Sequence, residues 1–69
     1  MYIKAYLIPS EKRVTDEWII NLYLEDHTKI EAKIVKTYKA CLKESKDWSI
    51  QLGGIPYEVG GIKFGNASE

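Results

Sequence analysis

The chain has 69 residues, 45% of them hydrophobic and 29% charged, and its 10 basic side chains balance 10 acidic ones. That length admits one domain with a thin core, since a chain of this size buries only about 60% of the surface its unfolded form exposes. Zero net charge argues against a uniformly basic nucleic-acid binder, and no apolar run approaches the ~20 residues of a membrane span. The single cysteine, Cys41, excludes an internal disulfide, a CxxC redox pair and a Cys-rich zinc site.

Residues 1–8 alternate Ile3, Ala5 and Leu7 against Tyr2, Lys4, Tyr6 and Ile8, the period of a strand. They lack the basic segment, apolar core and small-residue cleavage site of a secretion signal, so the expected location is cytoplasmic. Residues 9–16 are polar and include Pro9, which cannot donate to a ladder; they read as a mobile surface loop.

Residues 17–35 carry the clearest pattern. Trp18, Ile20, Leu22 and Leu24 alternate with polar and mixed positions, as do Ile30, Ala32 and Ile34, and the polar break between them marks a hairpin. Partners across a ladder share a face. Matching apolar to apolar sets Leu24 opposite Ile30, Leu22 opposite Ala32 and Ile20 opposite Ile34, with Asn21 facing Lys33 and Glu25 facing Lys29. The loop is then Asp26-His27-Thr28, which leaves Thr28 at the left-handed position that Gly or Asn would suit better.

From residue 36 to 47 the period changes to that of a helix of about three turns, with Tyr38, Cys41, Leu42 and Ser45 on one side and Lys36, Lys39, Lys43 and Lys46 on the next. Thr37 is its expected N-cap. So short a helix is marginal alone and needs the sheet; its apolar stripe is expected across Ile20, Leu22, Leu24, Ile30, Ala32 and Ile34.

Residues 48–65 contain Gly-Gly-Ile twice. Gly60-Gly61 suits a two-residue hairpin that opposes Val59 to Ile62, Glu58 to Lys63 and Tyr57 to Phe64. Strand N–H groups point alternately to opposite neighbours, so Gly53-Gly54 cannot be a second clean hairpin, and the irregularity belongs there or near Ile55-Pro56. Residues 66–69 read as a frayed tail on a single domain, 1–65. The expected fold is α+β: an antiparallel sheet in the order β-β-β-α-β-β, with room for a sixth short strand, and one amphipathic helix on one face.

No constellation of base, nucleophile and oxyanion donor can be assembled, no metal set is evident and no cofactor motif is present, so the expectation is a non-enzymatic protein. His27, the one histidine, reads as a polar turn residue, and Cys41 as a small hydrophobe on the helix stripe. The glycines match no phosphate-binding loop, because neither the spacing nor a following helix is present.

Two features point outward. One short helix cannot cover both faces of the sheet, which leaves Tyr2, Tyr6, Ile8, Ile19 and Tyr23, among Lys4, Asn21, Glu31 and Lys33, as a candidate protein-binding surface. The reading that follows is a small inhibitor, adaptor or regulator that binds another protein through this face or an edge strand, with self-association as a close variant. The length also suits an accessory protein of a bacterium or its virus. The second feature is the lysine stripe: six lysines lie between residues 29 and 46 against Glu31 and Glu44, while residues 10–28 hold five acids against Lys12 and Arg13. Lys36, Lys39, Lys43 and Lys46 on phosphates, with tyrosines stacking on bases, make the alternative, a nucleic-acid-binding protein.

Overall fold

The computed structural model describes residues 1–8 and 17–66; the loop expected at 9–16 and the last three residues of the tail lie outside them. Its elements are β1 (Tyr2–Leu7), β2 (Trp18–Tyr23), β3 (Lys29–Val35), α1 (Tyr38–Gln51), β4 (Pro56–Val59) and β5 (Ile62–Asn66). This is the expected α+β order with the helix on one face. The sheet runs β3-β2-β1-β4-β5 and is mixed: β1 pairs antiparallel with β2 but parallel with β4. The parallel pair follows from the crossover. The chain leaves β3 at one edge and re-enters beside β1 in the same direction, which a tight turn cannot accomplish, so α1 spans the gap.

The helix begins where Thr37 accepts a hydrogen bond from the Ala40 N–H at 3.0 Å, as its side chain suggested. It runs one turn past the expected end at Asp47. Cys41, Ser45, Trp48 and Ser49 share the buried face, so the stripe continues at helical spacing through residues first read as the start of the C-terminal strands.

Gly53-Gly54 is the helix's C-terminal stop rather than a hairpin. Gly53 has φ of 93°, its N–H bonds the Ile50 carbonyl at 3.1 Å, and the Gly54 N–H bonds the Ser49 carbonyl at 2.7 Å. That is the paired bonding of a Schellman cap. The Ser49 hydroxyl donates to the Ile55 carbonyl and ties the following segment back to the helix.

Gly60-Gly61 makes the expected tight turn, with φ of 59° and 85°. Val59 opposes Ile62 and Glu58 opposes Lys63 as read; a bulge then sets Tyr57 opposite Gly65, yet the Tyr57 and Phe64 rings still stack 5.0 Å apart.

The core lies between α1 and the middle of the sheet: Ile3, Ala5, Ile20, Leu22, Tyr57 and Val59 meet Cys41 and Trp48. The helix contacts β4, β1 and β2. At the sheet's edge β3 is exposed along most of its length, although Val35 packs against the core.

The β2–β3 register differs from the apolar match. Ile19 opposes Ile34, Ile20 opposes Lys33, Asn21 opposes Ala32 and Leu22 opposes Glu31. Two local features produce this. His27, not Thr28, takes the left-handed conformation, with φ of 72°, and the loop closes where the Leu24 N–H bonds the Thr28 carbonyl at 2.9 Å. Continued without interruption, that closure would set Leu22 against Ile30. A bulge between Leu22 and Tyr23 instead advances β3 by one residue, which turns its side chains over. Ala32 and Ile34 therefore lie on the face away from the helix, and Glu31 and Lys33 on the helix side. Leu24, Ile30 and Ile34, expected in the core, are exposed. Lys33 is accommodated at the sheet's edge, its Nζ 4.3 Å from the centre of the Trp48 ring.

Candidate functional site: the open face of the sheet

Alternation along β1 and β2 follows from which residues the helix buries. Ile3, Ala5, Ile20 and Leu22 point into the core, so Tyr2, Lys4, Tyr6, Ile19, Asn21 and Tyr23 point the other way. Among the described residues no element lies over this second face. The strands align its side chains into rows.

Tyr2 opposes Tyr23, and their rings stack 5.0 Å apart at 16°. The next row runs Lys63, Glu58, Lys4, Asn21, Ala32 across all five strands. The third is Tyr6, Ile19, Ile34, an apolar row whose ends are 46% and 59% exposed. Four of the five side chains expected to form the surface, Tyr2, Tyr6, Ile19 and Tyr23, thus share one face. Ile8 follows β1, half-buried, with its N–H bonded to the Glu17 carbonyl at 2.8 Å. Of the polar companions expected with them, Lys4 and Asn21 are on this face, whereas Glu31 and Lys33 are on the other.

The register shift makes the face more apolar than the sequence suggested, because Ala32 and Ile34 replace Glu31 and Lys33. Apolar matching hid this, since it assigns every isoleucine of β3 inward. The available signal was a three-residue loop with no Gly or Asn, whose left-handed residue had to be sought among Asp26, His27 and Thr28. Asn21, in the middle row, is 1% exposed and its Oδ1 accepts no hydrogen bond among the described residues.

At one end of the face the hairpin tip folds toward β1. The Tyr2 hydroxyl and His27 Nδ1 lie 2.7 Å apart, a hydrogen bond whose direction follows the imidazole tautomer. The Asp26 carboxylate accepts from the Thr28 N–H at 3.1 Å. Thr28's hydroxyl and backbone N–H hold the Asp26 carboxyl below its ordinary value. This is turn chemistry, in keeping with the reading of His27 as a turn residue. Beside the tip, Tyr2, Lys4, His27, Pro56, Glu58 and Lys63 line a shallow cleft of about 430 Å³.

The lysines lie elsewhere. Lys39, Lys43 and Lys46 are exposed on the solvent side of α1, across the sheet from the tyrosines. Lys36 precedes the helix and pairs with Glu17 at 3.4 Å; both side chains are exposed, so the pair contributes at most about 1 kcal/mol. A single nucleic-acid strand would have to wrap around the molecule to meet both sets. Cys41 is buried in the core, and burial pushes its thiol above the ordinary value, with a smaller opposing effect from Ser45 one turn on. Among the described residues no three His, Cys, Asp or Glu side chains gather as a metal site would require, and no helix is long and apolar enough to cross a membrane.

No family model, curated protein or solved structure matches this chain.

Proposed function

We propose that this protein acts in the cytoplasm by binding another protein through the open face of its sheet, as an inhibitor, adaptor or regulator. One observation carries the reading: the row Tyr6, Ile19, Ile34 keeps two large side chains about half exposed on a face where the helix does not reach. Leaving apolar and aromatic area in water is unfavourable by about 25 cal/mol per Å², and a partner's surface removes that cost. Tyrosine and isoleucine suit an interface centre, and the row Lys63, Glu58, Lys4 borders Tyr6 and Ile19 on one side with polar groups.

Affinity capture from cell lysate, run in nuclease-treated and untreated halves, tests it with wild-type protein and a Tyr6→Ser/Tyr23→Ser variant shown to be folded by circular dichroism. A protein captured at defined stoichiometry after nuclease, and lost with the variant, is expected. Equal capture by both forms would overturn the reading. Nucleic acid recovered with both, and released by salt, would transfer it to Lys39, Lys43 and Lys46.

A further inference from the structure

The sheet has two edges, and they differ. Each edge strand carries one bulge, β5 at Phe64 and β3 at Ile30, but β5 also has a left-handed Gly65 with φ of 65°, whereas β3 runs in unbroken register from Glu31 to Val35, so β3 is the better template for another strand. β3 pairs only with β2, and its other edge meets no strand among the described residues. Its backbone groups there are free to pair with a strand from another molecule.

We propose that the strand β3 receives is β3 of a second copy, antiparallel, about a two-fold axis at Ala32. The sequence Ile30-Glu31-Ala32-Lys33-Ile34 is complementary to its own reverse. With Ala32 opposite Ala32, Glu31 of each copy faces Lys33 of the other, and Ile34 of each lies toward the bulged Ile30 of the other. The smallest side chain sits on the axis, and two ion pairs flank it in the regular part of the strand.

The alternatives fare worse. A two-fold axis perpendicular to the sheet preserves its faces, so opposed residues must share parity, and the axis moves in whole-residue steps. One step either way sets Glu31 against Glu31 or Lys33 against Lys33, like charges directly opposed. Exposure agrees with an unfilled edge: Ile30 is 49% exposed, and Glu31 and Ala32 are also exposed.

The arrangement is isologous and closed, so it stops at a dimer rather than a fibre. It leaves the open faces uncovered and joins those of the two copies side by side, so it stands independently of the proposed partner. The face variant Tyr6→Ser/Tyr23→Ser should dimerise as well as wild type.

Sedimentation equilibrium on the full chain, with circular dichroism as the check on folding, reads the association. Wild type should reach twice its 7.9 kDa mass with rising concentration. Glu31→Lys and Lys33→Glu should each weaken dimerisation by about tenfold or more, because two attractive pairs become two repulsive ones. An equal mixture of these two variants should restore it, since each Lys of one then faces a Glu of the other. Independently, Ala32→Cys should yield a covalent dimer on mild oxidation, because opposed residues in an antiparallel pair lie about 4.5–5.5 Å apart at Cα, within disulfide reach. Wild type that stays monomeric up to about 1 mM, single variants that associate like wild type, or a mixture no better than either variant would each overturn the proposal.

Discussion

Replacing Ile20 and Ile34 by alanine, one at a time, separates the observed strand register from the one that apolar matching favours. Ile20 is 0% exposed between the sheet and the helix, so truncation leaves a cavity and should cost about 2–5 kcal/mol. Ile34 is 59% exposed on the opposite face, so only about two-fifths of its surface is covered. Full burial of such a side chain is worth about 1.5–3 kcal/mol, which makes the expected loss about 1 kcal/mol or less. A domain of this length has about 3–10 kcal/mol of total stability, so the first variant should be close to unfolding and the second near wild type. Urea unfolding followed by tryptophan fluorescence gives both values, at concentrations where dilution no longer moves the midpoint. In the apolar-matched register both isoleucines are core residues facing one another. Equal, large losses would therefore refute the register and with it the composition of the open face.

Other consequences follow from single contacts. Thr37→Ala removes the bond to the Ala40 N–H and should lower stability by about 1 kcal/mol, while Gly53→Ala forces a side chain onto a φ of 93° and should cost about 1–2 kcal/mol; thermal melts of both variants measure these losses. Because Asp26 is held below its ordinary value of 3.8 by Thr28, the carboxylate's contribution is full above that value and is lost as pH falls through the lower folded value. The Thr28 amide resonance should report this titration, and Asp26→Asn should abolish it. The Cys41 thiol, raised by burial, should react with an aromatic disulfide reagent at pH 8 only as fast as the protein opens, and at once in urea.

Much of the architecture was legible because its signals are local. Period-two alternation marked all three N-terminal strands, Thr37 the helix start, and Gly60-Gly61 the last turn. The helix end is less legible, because Gly53-Gly54 draws Trp48 and Ser49 into the C-terminal segment, although Cys41, Ser45 and Trp48 run at helical spacing. The parallel β1–β4 pairing carries no local signal, since it depends on where the crossover lands.

Register departs furthest from the sequence pattern, and the cause is physical. Apolar matching presumes that every strand is buried on its apolar side, but a 14-residue helix cannot cover five strands. β3 meets the helix and core through Val35 and Lys33 while Ile30, Ala32 and Ile34 are exposed, so His27 and a bulge can set its faces against the apolar pattern. The tyrosine face is unaffected by this departure because Tyr2, Tyr6, Ile19 and Tyr23 are fixed by β1 and β2, whose inward residues the helix does bury. Ile34 and Ala32 could join it only once the register was known.

The central claim is that Tyr6, Ile19 and Ile34 form an uncovered apolar row on the folded protein. Nuclear magnetic resonance with an inert, soluble paramagnetic agent measures that directly through line broadening of assigned methyl and ring protons. The account predicts strong broadening for Ile34 and Tyr6, intermediate broadening for Ile19, and protection for Ile3, Ile20 and Val59 beneath the helix. Ile34 and Tyr6 as protected as Ile20 would mean that the face is covered, and would contradict it.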